Sequence, residues 1–354
     1  MAARSMNVVL VPAISDGSGV GHLQRCVTLA RALLHSGHEP TLLLDIPDGR
    51  HLADFGALVP SDVPMARLTR EVFDRNDDNC SGRVLRDWIV IDDYDSNYLS
   101  DKAWAQHAER ILVLDDHAES RRYADIVLSQ TLLRKTEDYE HLVPEGCTVL
   151  TGAQYTLIRP EFASVAAQLK STPRGDRARK IFVAMGGTDG GNFLIQVLKS
   201  IEFFSPNERP VVHVMIAKFS AAAGKLPVHI QALSYQCFVH EDVRDPTKIL
   251  TNCDVAITAG GMTSYEVATL GIPAVIIPAN SLEAEVAESL TQSADVRVIK
   301  PGGKLKDSLL RALEEICNEV GPRRTPSLDG RGSFRVVRAM EAKSFGNFGT
   351  SLHR

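Results

Sequence analysis

The sequence predicts an α/β protein made of two parallel-sheet domains. Its 354 residues exceed one ordinary domain and suit about two. Short apolar runs alternate with helix-length segments through both halves. The runs are continuous rather than alternating, as strands buried on both faces of a parallel sheet are. Each half also opens with such a run followed at once by a glycine-rich turn.

In chain order the first half reads as strands "NVVLVPA", "EPTLLLD", "WIVIDDY", "RILVLDD" and "DIVLSQ". Between the first two, Leu23, Val27, Ala30 and Leu34 recur at i, i+4, i+7 and i+11, with Cys26 and Leu33 alongside. That is one apolar face of a helix, and Gly37 is placed to end it. A polar, Pro- and Gly-containing stretch at 171–179 reads as a linker. It divides the chain into domains at 1–170 and 171–340, followed by a tail at 341–354. The second half reads as "KIFVAMGG", "VVHVMIA", a weaker strand near "HIQALSY", "CDVAITAG" and "PAVIIPA".

A hydrophobic fraction of 44% with 23% charged residues is a globular composition able to bury a core. The net charge of -5, with no basic run, argues against nucleic-acid or anionic-membrane partners. No apolar segment approaches the roughly 20 residues of a membrane span, and the opening "MAARSMNVVLVPAI" is a poor signal peptide. The six cysteines form no C-x-x-C pair and read as small reduced core residues, so a cytoplasmic protein is expected. Nothing in the sequence sets an oligomeric state.

The turn holding Gly17, Gly19, Gly21 and His22 lies between the first strand and its helix. Backbone N–H groups and the helix dipole favour an anion there. It is not a dinucleotide fingerprint: G-x-G-x-x-G would need glycine where His22 stands, and Gly21 comes one residue early. The same dipole disfavours imidazolium, which makes His22 a candidate proton acceptor as well as a candidate capping residue. In the second half, Gly186 and Gly187 form another phosphate-cradle candidate. Gly261, Met262, Thr263 and Ser264 follow a strand, and Glu266 is expected in the first turn of the next helix. Amides and hydroxyls there suit a diphosphate, and Glu266 suits a ribose diol or a simple cap. The strand-end acids Asp92, Asp93, Asp115 and Asp116 read as readily as caps or arginine partners as metal ligands. No spacing demands a metal, and no cofactor is expected.

Taken in order, these stretches resemble the GT-B, MurG-like nucleotide-sugar enzymes, whose two Rossmann-like domains face each other across a cleft. They most resemble the UDP-2,4-diacetamido-2,4,6-trideoxy-β-L-altropyranose hydrolases of pseudaminic acid biosynthesis. The likeness is carried by "GSGVGHLQRCVTLARAL", "WIVIDDYDSNYLSDKAW", "ILVLDDHAESRRYADIVLSQ", "GAQYTLIRPEF", "VAMGGTDGGN", "AGGMTSYEVATLGIPAVII" and "DGRGSFRVV". Two positions depart from the family's pattern: Ser281 follows Asn280 where glutamine is usual, and Asp93 stands before Tyr94 where histidine is usual. The resemblance implies metal-independent, inverting attack of water on a UDP-sugar. In that scheme His22 is the base, Tyr94 and Asn280 orient sugar or water, and the second-half turns hold UDP. A glycosyltransferase with the same donor site remains the alternative. The resemblance also implies a helix near 334–342 that packs back on the first domain.

Overall fold

The computed structural model describes residues 4–14, 20–46, 50–68, 86–96, 98–169, 179–186, 192–205, 208–218, 220, 222–300, 305–318, 324–325 and 328–346. Among these, seven parallel strands form the first sheet, in the spatial order β3 (Met65–Arg67), β2 (Glu39–Leu44), β1 (Asn7–Pro12), β4 (Arg86–Asp92), β5 (Ala108–Leu114), β6 (Ile126–Leu128) and β7 (Thr148–Leu150). Six parallel strands form the second: β10 (Cys237–Glu241), β9 (Val211–Ile216), β8 (Lys180–Ala184), β11 (Val255–Thr258), β12 (Ala274–Ile276) and β13 (Val296–Val298). Both sheets reverse direction of travel after the first strand of the half, between β1 and β4 and between β8 and β11. Crevices outside the carboxyl ends of such strands are where open α/β sheets bind ligands.

The apolar runs are continuous because successive side chains enter different cores. Val8 and Leu10 of β1 pack on one face of the sheet with α1 (Gly21–His35), whereas Val9 and Val11 pack on the other. The α1 face reads as expected, with Leu23, Cys26, Val27, Ala30 and Leu33 buried and Leu34 packed at the margin. Gly37, at φ +82°, ends it: the Gly37 N–H donates to the Leu34 carbonyl and the His38 N–H to that of Leu33. This is a Schellman closure, which favours glycine at that position.

One expected strand is corrected. Most of "HIQALSY" is the end of a short helix, Leu226–Gln231, and the turn after it. Pro227 in the first turn favours that helix, and Leu226 and Ile230, four residues apart, meet the same core. The edge strand comes next, at Cys237–Glu241. The three-residue strands β3, β7 and β13 carry too little apolar sequence to stand out.

The chain passes between cores ahead of the expected linker. Leu157 belongs to the first core and Ile158 to the second. The helix Pro160–Leu169 then packs with the second sheet through Phe162. Residues 170–178 lie outside the described ones. A return crossing is made by the helix Gly332–Phe345, whose Val336, Val337 and Met340 complete the first core. Glu341 meets His38 Nε2 at 3.0 Å, and the Trp88 indole donates to the Ser344 hydroxyl at 2.8 Å. Residues 341–345 are therefore a docked helix, a correction to the tail expected from 341, because their side chains have buried partners in the first domain. Gly332 permits this approach, since a Cβ there would stand 2.2 Å from the Thr156 carbonyl oxygen.

Candidate active site between the two sheets

One cleft is lined from both halves. Its first wall is built where β1, β4 and α1 meet. Gly21 is the first residue of α1 and His22 the second; Gly17 and Gly19 lie outside the described residues. His22 and Arg25, three residues apart, share one helix face and both reach Asp92, the last residue of β4. His22 Nδ1 is 2.7 Å from Asp92 Oδ1 and 2.9 Å from a terminal nitrogen of Arg25. With that Arg25 nitrogen donating to Asp92 Oδ1 rather than to the ring, a proton on Nδ1 is donated to Asp92 and Nε2 is left as an acceptor on a ring that lines the cleft.

Arg25 is the centre of this wall. Its Nε donates to Asp92 Oδ2 at 2.8 Å, a second N–H reaches Asp92 Oδ1, and a third donates to Asp116 Oδ2 at 2.5 Å and Tyr94 Oη at 3.2 Å. Asp116 also accepts from the Tyr94 hydroxyl at 2.9 Å and the Gln130 N–H at 2.8 Å. Burial would raise the Asp92 carboxyl, but Arg25, then His22, outweigh it and hold it below the ordinary carboxylate value. Burial likewise opposes the Arg25 charge, yet the two carboxylates keep its pKa well above the ordinary guanidinium value. The Tyr94 phenol is pushed well above its usual pKa, mainly by burial, with Arg25 opposing and Asp116 adding. Although Tyr94 as a residue is 38% exposed, its hydroxyl sits between Arg25 and Asp116 and is a neutral donor. Its ring stands edge-on to His22, with centroids 4.5 Å apart.

The second wall is the turn after β11. Gly261 caps the helix Met262–Thr269, so the first-turn N–H groups of Met262 and Thr263 lack intrahelical acceptors, an arrangement that favours anions. Gly260 has φ +100°, and a Cβ on it would lie 2.6 Å from the Glu283 carbonyl oxygen. Backbone conformation and packing both require glycine there. Ser264 is corrected: its hydroxyl is buried, accepts from the Gly260 N–H at 3.1 Å and bonds Thr258 Oγ1 at 2.7 Å. It braces the turn instead of facing a diphosphate, while Thr263 lines the cleft. Gly186 lines the cleft too, and Gly187 lies outside the described residues.

Glu266 is the fifth residue of its helix, beyond the first turn, so it is not a cap. Arg159 grips it with Nε at 2.6 Å and a terminal nitrogen at 2.7 Å, both residues being buried. A carboxylate offers about four lone-pair positions, so one on each oxygen remains beside the cleft. Asn280 lines the cleft but also caps the helix Ser281–Thr291, accepting from the Glu283 N–H at 2.8 Å. Its carbonyl oxygen is thereby engaged, which leaves the amide N–H groups for a ligand.

The remaining acids have structural partners. Asp93 accepts from the Asp95 N–H, and Asp115 from those of His117 and Ala118. Among the described residues, no group of three or more His, Cys, Asp or Glu side chains is disposed to hold a metal ion, and no helix is long and apolar enough to cross a membrane. Sequence reasoning missed Arg25 as a site residue, although its i, i+3 spacing from His22 was visible. It also missed Gln130 and the grip of Arg159 on Glu266, for which no local signal exists.

No family model matches the chain. It is 22% identical over 342 residues to the uncharacterized protein MJ1062 of Methanocaldococcus jannaschii, covering 92% of this chain and 65% of that protein. It is 32% identical over 114 residues to the UDP-2,4-diacetamido-2,4,6-trideoxy-β-L-altropyranose hydrolase of Campylobacter jejuni, covering 32% of this chain and 39% of that one. The spore coat polysaccharide biosynthesis protein SpsG of Bacillus subtilis is 22% identical over 248 residues, covering 66% of this chain and 69% of SpsG. The chain thus spans under two thirds of the length of the first two relatives. Among solved structures, the UDP-GlcNAc 2-epimerase of Methanocaldococcus jannaschii in complex with UDP-GlcNAc and UDP superposes with a TM-score of 0.61 at 12% identity, covering 96% of this chain and 99% of that one. UGT89C1 of Arabidopsis thaliana superposes at 0.58 with 13% identity, covering 98% and 97%. MurG of Acinetobacter baumannii does so at 0.52 with 13% identity, covering 95% and 99%. With two parallel Rossmann-like sheets and a cleft between them, the chain has the GT-B fold.

Proposed function

We propose that the chain is an enzyme acting on nucleotide sugars, and that it hydrolyses a UDP-sugar at the anomeric C–O bond. The observation that carries the reading is the pairing of the two walls. His22, oriented by Asp92, and the helix N-terminus at Gly261 line the same cleft from opposite halves of the chain. His22 Nε2 takes a proton from water as the water oxygen bonds to the anomeric carbon. The bond from that carbon to the diphosphate oxygen breaks, and UDP leaves with the electron pair. Attack opposite the leaving group inverts the anomeric centre. Amides at Gly261–Thr263 stabilise the growing diphosphate charge, Glu266 takes the ribose diol, and Tyr94 with the Asn280 amide orients sugar or water. The named hydrolase among the relatives supports the choice of water over a sugar acceptor.

The test is proton NMR of the purified protein with UDP-2,4-diacetamido-2,4,6-trideoxy-β-L-altropyranose, no acceptor and excess EDTA. UDP and free sugar of inverted configuration should appear. Release of UDP only after an acceptor is added would assign glycosyl transfer. A complete loss in EDTA that magnesium restores would make the strand-end acids metal ligands. Glu266→Ala should weaken UDP binding by roughly 1–3 kcal/mol, about tenfold to a hundredfold. Unchanged affinity by calorimetry would leave Glu266 as the partner of Arg159 alone.

A further inference from the structure

Gln130, which follows β6 in the first half, is 2% exposed and lines the cleft. Almost all of its polar atoms are committed. Its N–H donates to Asp116 Oδ1 at 2.8 Å, and its carbonyl accepts from the Thr156 hydroxyl at 3.5 Å. Its side-chain Oε1 accepts from the Leu157 N–H at 3.1 Å. A backbone N–H can only donate, so this last bond settles which end of the amide is oxygen. The NH2 end must therefore face the opposite wall. There it meets the sulfur of Met262 at 3.3 Å. A thioether is a weak acceptor, and buried donors are ordinarily satisfied by stronger ones. Met262 is the first residue of the helix whose N-terminus the reading above gives to the diphosphate, so the amide reaches from the other domain to the residue that opens that helix.

We infer that Gln130 donates its side-chain N–H to the diphosphate of a nucleoside-diphosphate ligand, exchanging the Met262 sulfur for a phosphate oxygen. The inference rests on the nucleotide-sugar reading above and extends it. The diphosphate is gripped from both domains, by backbone N–H groups on one side of the cleft and by this amide on the other. Because the Gln130 backbone is bonded to Asp116, which Arg25 also holds, the same residue joins the leaving-group site to the wall carrying His22.

Binding of UDP and of uridine to the wild type and to Gln130→Glu tests this, by calorimetry for UDP and ligand-observed NMR titration for uridine. Glutamate keeps an acceptor for the Leu157 N–H and nearly the same volume, but turns an acceptor-only group toward the phosphates. UDP should bind about tenfold to a hundredfold more weakly, with uridine within about twofold of wild type. A purely structural role would weaken both ligands together. Equal losses, or unchanged UDP binding, overturn the inference. If Gln130→Glu does not fold, Gln130→Met, which fills the space without a donor, decides by the same comparison, with about tenfold expected for UDP. A wild type that binds neither ligand overturns the nucleotide-sugar reading itself, whereas equal losses for the two ligands, or unchanged UDP binding, in the variant overturn only the role of Gln130.

Discussion

His22→Asn should lose two to four orders of magnitude in single-turnover rate while keeping most of its affinity for UDP. General-base contributions are typically about 10²–10⁴-fold. The substitution removes Nε2, the acceptor on the cleft, but keeps a side chain able to donate to Asp92. UDP sits mainly on the opposite wall in this reading, so binding and chemistry should separate. A helix-terminal histidine with only a packing role would give a different result: a lower melting temperature and near-normal turnover in the molecules that stay folded. Melting temperature, UDP affinity and single-turnover rate on one His22→Asn preparation distinguish the two. Nearly wild-type turnover in a stable, UDP-binding variant would remove His22 from the mechanism.

Arg25→Met should be among the most destabilising single changes in the chain. The guanidinium is nearly buried and lies between Asp92, whose side chain is fully buried, and Asp116. Removing one member of a buried ion cluster costs about 3–5 kcal/mol, because the charges left behind cannot regain water. Methionine fills most of the volume, so packing loss is a minor part. The sign of the pH dependence follows from Asp92. Its folded pKa is depressed, so it contributes stability above the unfolded carboxylate value, and that contribution is lost as pH falls through the lower folded value. In Arg25→Met the depression should largely vanish, and the gap from wild type should narrow in acid as the carboxylates protonate. Denaturant titrations at neutral and acidic pH measure both effects. A neutral-pH loss below about 1 kcal/mol would mean that His22 and solvent suffice to support Asp92. Catalysis should fall as well, since Arg25 holds Asp92 in place behind His22 and bonds the Tyr94 hydroxyl.

Much of this arrangement was legible residue by residue. The glycine turns could be placed at strand ends because the apolar runs before them stop abruptly, and the α1 face was readable from the spacing of Leu23, Val27, Ala30 and Leu34. His22 was singled out because it occupies a glycine's place in a phosphate turn. Ser264 was misjudged for a definite reason: a hydroxyl beside two glycines looks available, and only packing shows that Thr258 and the Gly260 N–H have taken it. Asn280 was read as a ligand group, yet Glu283 three residues later, whose N–H it accepts, marks a helix cap.

By itself the sequence determined the α/β alternation, the two halves, and which strand ends carry glycine-rich turns. Periodicity and glycine placement are local properties: a run of four to seven residues reports its own burial and its own backbone needs. Only the tertiary structure decided that Arg25 stands between Asp92 and Asp116, that Arg159 holds Glu266, and that Gln130 faces Met262. Those partners lie 67 to 132 residues apart. The chain's two crossings between cores, at Leu157–Ile158 and in the helix Gly332–Phe345, were settled at the same level. The physical reason is that burial makes a polar group need a partner, but which partner it finds depends on sheet register and on the meeting of two domains, and neither leaves a local trace in composition or spacing.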